Sequence, residues 1–250
     1  MFYANYLGFF GEARESLFGG PQALAMEDRR VHFLGMDSGK WAASAKLGDV
    51  IHVATEVLSV DGDVYTLLQT AADTEGRVFM EATVRAALRH ARDGVHAGDG
   101  ECAAPDEDDG LAVQDADLSA VVPFVVGGAD VDATGALGDV AAMRAFERGR
   151  TACLGRGGSA GLAALQEAGV LVVVVRGRDF AYARAPPAYG RSLEVRTSCR
   201  VSSSKLEFDQ RLVDAASGSV EARAAITCLC VTPQGRRARL PAAVLAVPAA

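Results

Sequence analysis

The same order of patterns runs twice along this 250-residue chain. An amphipathic helix from about Tyr3 to Phe18 precedes strand-like runs at 30–42, 49–60, 63–72 and 77–88. Further on, a helix from about Val140 to Leu154 and a short one from Ser159 to Ala168 precede runs at 170–184, 192–203, 205–214 and 219–231. A repeated order of elements marks one structural unit used twice. The repeat extends to single residues. Phe10 and Arg14 recur as Phe146 and Arg150, and Gly48 and Gly76 recur as Gly190 and Gly218, with six extra residues around Arg156-Gly157-Gly158 between the two pairs. The expected class is α+β: each half a long helix wrapped by a curved antiparallel sheet, and the two sheets paired edge to edge into one.

Local chemistry supports these elements. Asp61-Gly62 between apolar runs predicts a hairpin, because glycine supplies the positive φ of a tight turn. Leu193, Val195, Thr197, Cys199 and Val201 alternate with Glu194, Arg196, Ser198 and Arg200, which predicts a strand with one buried and one wet face. Ser159 is placed to cap the short helix and Gly169 to end it. The first helix puts Tyr6, Phe9, Phe10, Ala13 and Leu17 on one side, the face expected to pack on a sheet.

Between the copies, the stretch from Arg89 to Asp117 is rich in Asp, Gly and Glu and has no apolar period, so it reads as a linker. The chain then divides into a first unit at 1–90, a linker at 91–117 and a second unit at 118–250. A net charge of −7 argues against nucleic acid as the main partner, which would demand clustered Lys and Arg. Five cysteines lack metal-ligand spacing and the four histidines lie apart from them, so the thiols read as reduced and no metal is expected. Cys228 and Cys230 read as core fillers, His52 as a strand-surface residue, and His90 and His96 as linker. The apolar start MFYANYLGFFGEAR has no positive region and is interrupted by Asn5 and Glu12, which makes a poor signal peptide. No apolar stretch approaches the roughly 18–20 residues of a membrane span. The expected location is the cytoplasm or an organelle stroma, with room for a targeting segment missing from the N-terminus. Gly155-Arg156-Gly157-Gly158 lacks the strand-before-helix context of a dinucleotide site, and no G-x-S-x-G elbow occurs. No cofactor is expected.

Two groups of residues carry a family likeness. Phe2, Tyr3, Asn5, Tyr6, Leu7, Phe10, Ala13 and Arg14 open the first half. Val122-Pro123-Phe124-Val125-Val126, Asp132-Ala133-Thr134-Gly135 and Phe146-Glu147-Arg148-Gly149-Arg150 open the second, followed by Tyr189-Gly190-Arg191-Ser192-Leu193-Glu194-Val195-Arg196-Thr197. Together they resemble the hotdog-fold thioesterases of the 4-hydroxybenzoyl-CoA thioesterase type, including relatives that release enediyne polyketides, in which a helix starts D-x-x-G-x-x-F-Y-x-N-Y-L. The likeness covers nearly the whole chain outside the linker and implies a tandem, or double, hotdog. Its first strand in the second half would be 122–126; the first half lacks that strand and its aspartate, which suggests an incomplete N-terminus.

The resemblance implies a thioester hydrolase acting on acyl-CoA or an acyl-carrier protein. Asp132 would be the nucleophile or general base, and the backbone N–H of Asp139 the donor to the developing oxyanion. Gly135 would allow the tight turn between them. Tyr3 and Asn5 would face substrate in the first half. Pantetheine would run between the halves, with Arg184, Arg191 or Arg196 available to a phosphate or an acidic carrier. The Asp139 carboxylate would oppose the oxyanion unless it points away. Taken alone, Asp132 reads as a turn residue, Asp139 as a helix cap, and Glu147 with Arg150 as a surface pair at i, i+3 spacing. A non-catalytic acyl-binding or scaffold protein remains the alternative, and a dehydratase of the same fold would need a His with Asp or Glu that the spacing does not display. Exposed sheet edges leave room for a dimer.

Overall fold

The computed structural model describes residues 5–46, 48–90, 116–132, 135–155, 159–183 and 185–246. The first half runs α1 (Asn5–Leu17), α2 (Gly20–Met26), β1 (Arg29–Trp41), β2 (His52–Asp61), β3 (Val64–Ala72) and β4 (Val78–His90). The second runs β5 (Leu118–Val125), α3 (Asp139–Gly155), α4 (Ala160–Glu167), β6 (Leu171–Tyr182), β7 (Ser192–Ser202), β8 (Lys205–Asp214), β9 (Val220–Val231) and α5 (Ala242–Ala246). Most of the expected linker, 91–115, lies outside the described residues.

The nine described strands form one sheet in the order β2-β3-β4-β1-β6-β9-β8-β7-β5. All its pairings are antiparallel, and β1 and β6 join the halves. At this seam Gly35 pairs with Ala181, Met36 with Phe180, Ser38 with Arg178 and Gly39 with Gly177. The register is the same read from either end, so a local two-fold passes between Asp37 and Asp179. Both β1 and β6 carry bulges beside that point, which bend each strand and steepen its twist. The helices α1 and α3 lie against the sheet and touch each other, and one apolar cluster runs through both halves. This is the double hotdog that the resemblance implies. The edges of the sheet are β2, which exposes Val57, Leu58 and Val60, and β5, which exposes Val121 and Val125.

The repeat is carried inside by one polar network, built twice. In the first half the buried Arg14 Nη1 donates to Gln69 Oε1 at 3.0 Å, and Gln69 Nε2 donates to the Phe10 carbonyl at 2.9 Å and to Thr55 Oγ1 at 3.1 Å. In the second, Arg150 Nη1 donates to Gln210 Oε1, and Gln210 Nε2 donates to the Phe146 carbonyl at 2.6 Å and to Thr197 Oγ1 at 3.0 Å. Thr55 faces Gln69 across β2 and β3, as Thr197 faces Gln210 across β7 and β8. Burying a guanidinium requires such partners, since an unpaired buried charge is strongly destabilising. Beside each network Phe10 or Phe146 is fully buried, each contributing about 1.5–3 kcal/mol.

Three local expectations are corrected. The buried face of α1 is Tyr6, Leu7, Phe10 and Arg14, with Leu17 exposed, because the arginine turns inward to Gln69. Ser159 occupies the cap position of α4, but its φ of −106° and ψ of −7° are helical, and its side chain makes no cap bond. Residues 20–26 and 242–246, to which the sequence reading assigned no element, are helical; α2 is set off from α1 by Gly19 and Gly20, with φ of 93° and 86°.

Candidate functional site

The turn after β5 is held by backbone bonds. Asp132 N–H donates to the Ala136 carbonyl at 2.9 Å, and Gly135 N–H to the Asp132 carbonyl at 3.0 Å. Gly135 has a φ of 78°, where an L side chain is strained. Leu137 N–H then donates to the Pro187 carbonyl at 2.8 Å, tying the turn to the loop before β7. Asp132 is exposed on this turn, and α3 begins seven residues later at Asp139.

Asp139 answers the question its charge raised. Its Oδ2 accepts from Arg14 Nη2 at 2.9 Å and its Oδ1 from the Val140 N–H at 2.7 Å. The carboxylate is thus turned onto α1 of the other half and neutralised there. Among the described residues nothing accepts from the Asp139 backbone N–H, the first of a 17-residue helix. Such an N–H carries part of the helix dipole and suits an oxygen gaining negative charge.

Three further residues close around this end of α3. Tyr182, at the end of β6, donates from its hydroxyl to the Leu137 carbonyl at 3.1 Å. Burial pushes its ionisation well above the ordinary range, and the carboxylates of Asp139 and Asp132 add to that effect. The Arg14 guanidinium lies 5.0 Å from the centre of the Phe33 ring of β1. His32 precedes Phe33; burial and then the charge of Arg89 lower its pKa, while Asp132 acts in the opposite sense. Its Nε2 is buried with no hydrogen-bond partner among the described residues. His32 and Asp132 thus come within electrostatic reach of each other. No spacing signal links them, because one lies in each half.

A concavity lies at the other end of the seam. A cavity of about 500 Å³ opens between the end of β1, the start of β6 and the middle of α3, lined among others by Tyr6, Trp41, Glu147, Thr151, Val174 and Phe208. Neither Asp132 nor Asp139 lines it. Glu147 and Arg150 are not a surface pair: Arg150 is only 4% exposed and bonded to Gln210, and no ion pair joins the two. Their spacing does put them on one side of α3, but that side faces the sheet. Glu147 Oε2 is buried without a hydrogen-bond partner among the described residues, and burial raises its pKa to about 7, opposed only by Arg144.

The remaining expected site residues are scattered. Tyr3 and Arg184 lie outside the described residues, and Asn5 is placed only as the first residue of α1. Arg191 is half exposed and donates from Nη2 to Asp214 Oδ2 at 2.6 Å. The N–H and hydroxyl of Ser217, with Arg191, hold the Asp214 carboxyl down at about 2. Arg196 is paired with Glu194 at 2.9 Å. Cys153, Cys199, Cys228 and Cys230 are free and buried, and burial pushes the Cys228 thiol up to about 12. Among the described residues no helix is long and apolar enough to cross a membrane.

Neither family models nor curated proteins match this chain. Solved structures do. A 12:0-ACP thioesterase from Umbellularia californica is 13% identical and superposes with a TM-score of 0.64, over 91% of this chain and 87% of that one. An acyl-ACP thioesterase from Bacteroides thetaiotaomicron is 15% identical with a TM-score of 0.57, over 90% of this chain and 88% of that one. A 1,4-dihydroxy-2-naphthoyl-CoA thioesterase from Synechocystis is 20% identical, matching 50% of this chain and 91% of that one, with a TM-score of 0.44. At these identities the full-length likenesses show the fold, a double hotdog spanning both halves.

Proposed function

We propose that this chain hydrolyses acyl thioesters carried on coenzyme A or an acyl-carrier protein. The observation that carries this reading is the Asp139 N–H. It stands at the start of α3 without an acceptor among the described residues, beside a turn that presents Asp132, while its own carboxylate is paired with Arg14. A thioester carbonyl oxygen directed at that N–H would find a fixed donor where negative charge develops, the largest single term in many acyl transfers. Asp132 then either attacks the carbonyl carbon, expelling the thiolate and leaving a mixed anhydride that water hydrolyses to the acid while its proton passes to the thiolate, or takes the proton of an attacking water and returns it to the thiolate as the carbon–sulfur bond breaks.

Substrate reaches the site along the contact between the halves. Gly135 lets the backbone approach it, the resemblance alone assigns Tyr3, Asn5 and Arg184 to substrate, and the donors of Arg191 serve a nucleotide phosphate or an acidic carrier. The solved acyl-ACP thioesterases that share the fold support the reading by analogy of architecture. Four buried thiols without a disulfide fit a reducing compartment such as the cytoplasm or an organelle stroma.

The test is release of free thiol from a panel of short, long and aromatic acyl-CoAs. Asp132→Asn is expected to lower kcat for at least one of them by roughly 10²-fold. Turnover unchanged by the substitution across the whole panel would remove Asp132 from the mechanism. Binding of acyl-CoA without any release of thiol would establish the acyl-binding alternative instead.

A further inference from the structure

The outer face of the sheet carries a row of like charges. Arg196 of β7 stands opposite Arg211 of β8, and Arg211 opposite Arg223 of β9. The row continues through Ala181 of β6 and Gly35 of β1 to Arg85 of β4. Directly opposed residues share a face of the sheet. Val195, Leu212, Ala222, Ala224, Val84 and Ala86, which flank these arginines along their strands, are buried, so the row stands on the face turned away from α1 and α3. Arg178 and Arg176 are exposed on the same face, opposite Ala225 and Thr227 of β9, and Arg176 also opposes Lys40.

Such a row calls for counter-charge, because like charges directly opposite one another destabilise a strand pair. Arg85, Arg196 and Arg211 each have one carboxylate beside them, Asp37, Glu194 and Asp209, at 2.9, 2.9 and 3.3 Å. Arg176 and Arg178 have no ion pair among the described residues. The chain as a whole stands at −7, so its negative charge is gathered elsewhere. The segment 91–117 holds nine carboxylates and a single arginine, Arg92, with Asp106-Glu107-Asp108-Asp109 in unbroken succession.

The ends of that segment lie on opposite sides of the row. It leaves β4 after His90 and enters β5 at Leu118, and β1, β6, β9, β8 and β7 lie between those two strands. Six strand spacings are about 29 Å. His90 lies five residues beyond Arg85 along β4, and Leu118 lies three residues before Val121, the partner of Arg196, at the other end of the strands. At about 3.3 Å per residue this adds roughly 26 Å, for a straight path of about 40 Å that 27 residues span with slack. The path meets the row about five eighths of the way along, between β9 and β8, where Arg223 faces Arg211. In sequence, about five eighths of the way from His90 to Leu118 falls at 107–108, inside the acidic run. The other face of the sheet is occupied by α1 and α3.

We infer that the acidic segment 91–117 docks across the outer face of the sheet, with its 106–109 run seated on Arg211 and Arg223. Guanidinium forks match carboxylates in pairs. A tether at both ends keeps the carboxylates at high local concentration, so ion pairs that count for little singly act together. The contact offsets the repulsion within the row and joins the two halves by a route other than the β1–β6 pairing. It is independent of the hydrolase reading.

Cys102 lies in this segment, and Cys153, Cys199, Cys228 and Cys230 are buried, so a nitroxide thiol reagent is directed to Cys102 in the full chain. Paramagnetic broadening of backbone amide signals then reads where the segment lies. The amides around Arg178, Arg211 and Arg223 are expected to broaden in about 10 mM salt and to recover in about 1 M, as the Debye length falls from about 30 Å to about 3 Å. The same recovery is expected at low salt when 106–109 is neutralised by Asp106→Asn, Glu107→Gln, Asp108→Asn and Asp109→Asn together, and again for Arg211→Gln with Arg223→Gln. Broadening confined to α1 and α3, or broadening of the row that neither salt nor neutralisation relieves, overturns the inference. So does broadening that passes from a nitroxide-labelled copy to an unlabelled one in a mixture, which would make a second copy the occupant. If the row stays sharp at low salt but its signals shift on addition of an acidic acyl-carrier protein, the face serves that partner and the inference falls.

Discussion

At the scale of single residues, the molecule treats its buried charges in two ways. Arg14 and Arg150 are each tied through a glutamine to a threonine and a helix carbonyl, and Arg14 also pairs with Asp139. Glu147 is given no such partner, and its carboxyl rises to about 7 from an ordinary 4.5. The titratable or charged groups around it are Arg144 and Arg150 on α3, Tyr6 on α1 and Cys228 on β9. In the unfolded chain Glu147 loses its proton near 4.5; in the folded chain it keeps it to about 7. Between those values only the folded state holds the proton, so each rise in pH favours unfolding, and the penalty is complete above 7. Glutamine does not titrate. Glu147→Gln should therefore raise Tm at pH 8 relative to the unsubstituted chain and give no such gain at pH 4. A difference of the same size at both pH values would show that ionisation is not its cause.

At the scale of elements, α3 approaches the sheet closely at Gly149. A Cβ at Gly149 would lie 2.4 Å from Thr197 Oγ1 and 2.7 Å from Val195 Cγ1. The position equivalent to Gly149 in α1 is Ala13, so the first helix stands off far enough to accept a methyl group. Gly149→Ala should lower stability by about 1–3 kcal/mol through overpacking and disturbance of the Thr197–Gln210 bond, read as a fall in the urea midpoint. The strands were legible in the sequence because period-two alternation is imposed by the pleat itself, as Leu193 to Val201 illustrates. Helix faces were less so. Arg14 was left off the packed face of α1 because a guanidinium reads as polar, and only the presence of Gln69 across the sheet makes its burial tolerable.

At the scale of the whole molecule, the candidate site and the cavity both exist only because β1 and β6 pair. Gly35 sits at that seam, where a Cβ would come within 2.7 Å of the Phe180 carbonyl oxygen. Gly35→Ala must shift backbone on one side, and should cost about 1–3 kcal/mol. The site takes Arg14 from one half and Asp139 from the other, so thiol release should decline together with thermal stability. Loss of stability with turnover fully retained would show that the site does not depend on the seam.

The order of elements, the duplication and the approximate strand limits were determined by the sequence alone, since they follow from local periodicity and from residues repeated at matching places. The same reading selected Asp132, Gly135 and Asp139 from a motif confined to one turn and one helix start. What it could not supply is anything set by contact between distant segments. Arg14 on Asp139, His32 near Asp132, and Glu147 turned into a cavity rather than toward water all depend on which face of a helix meets the sheet and on the register of one strand pair. Those are decided by the summed packing of both halves, and no short stretch of chain encodes them.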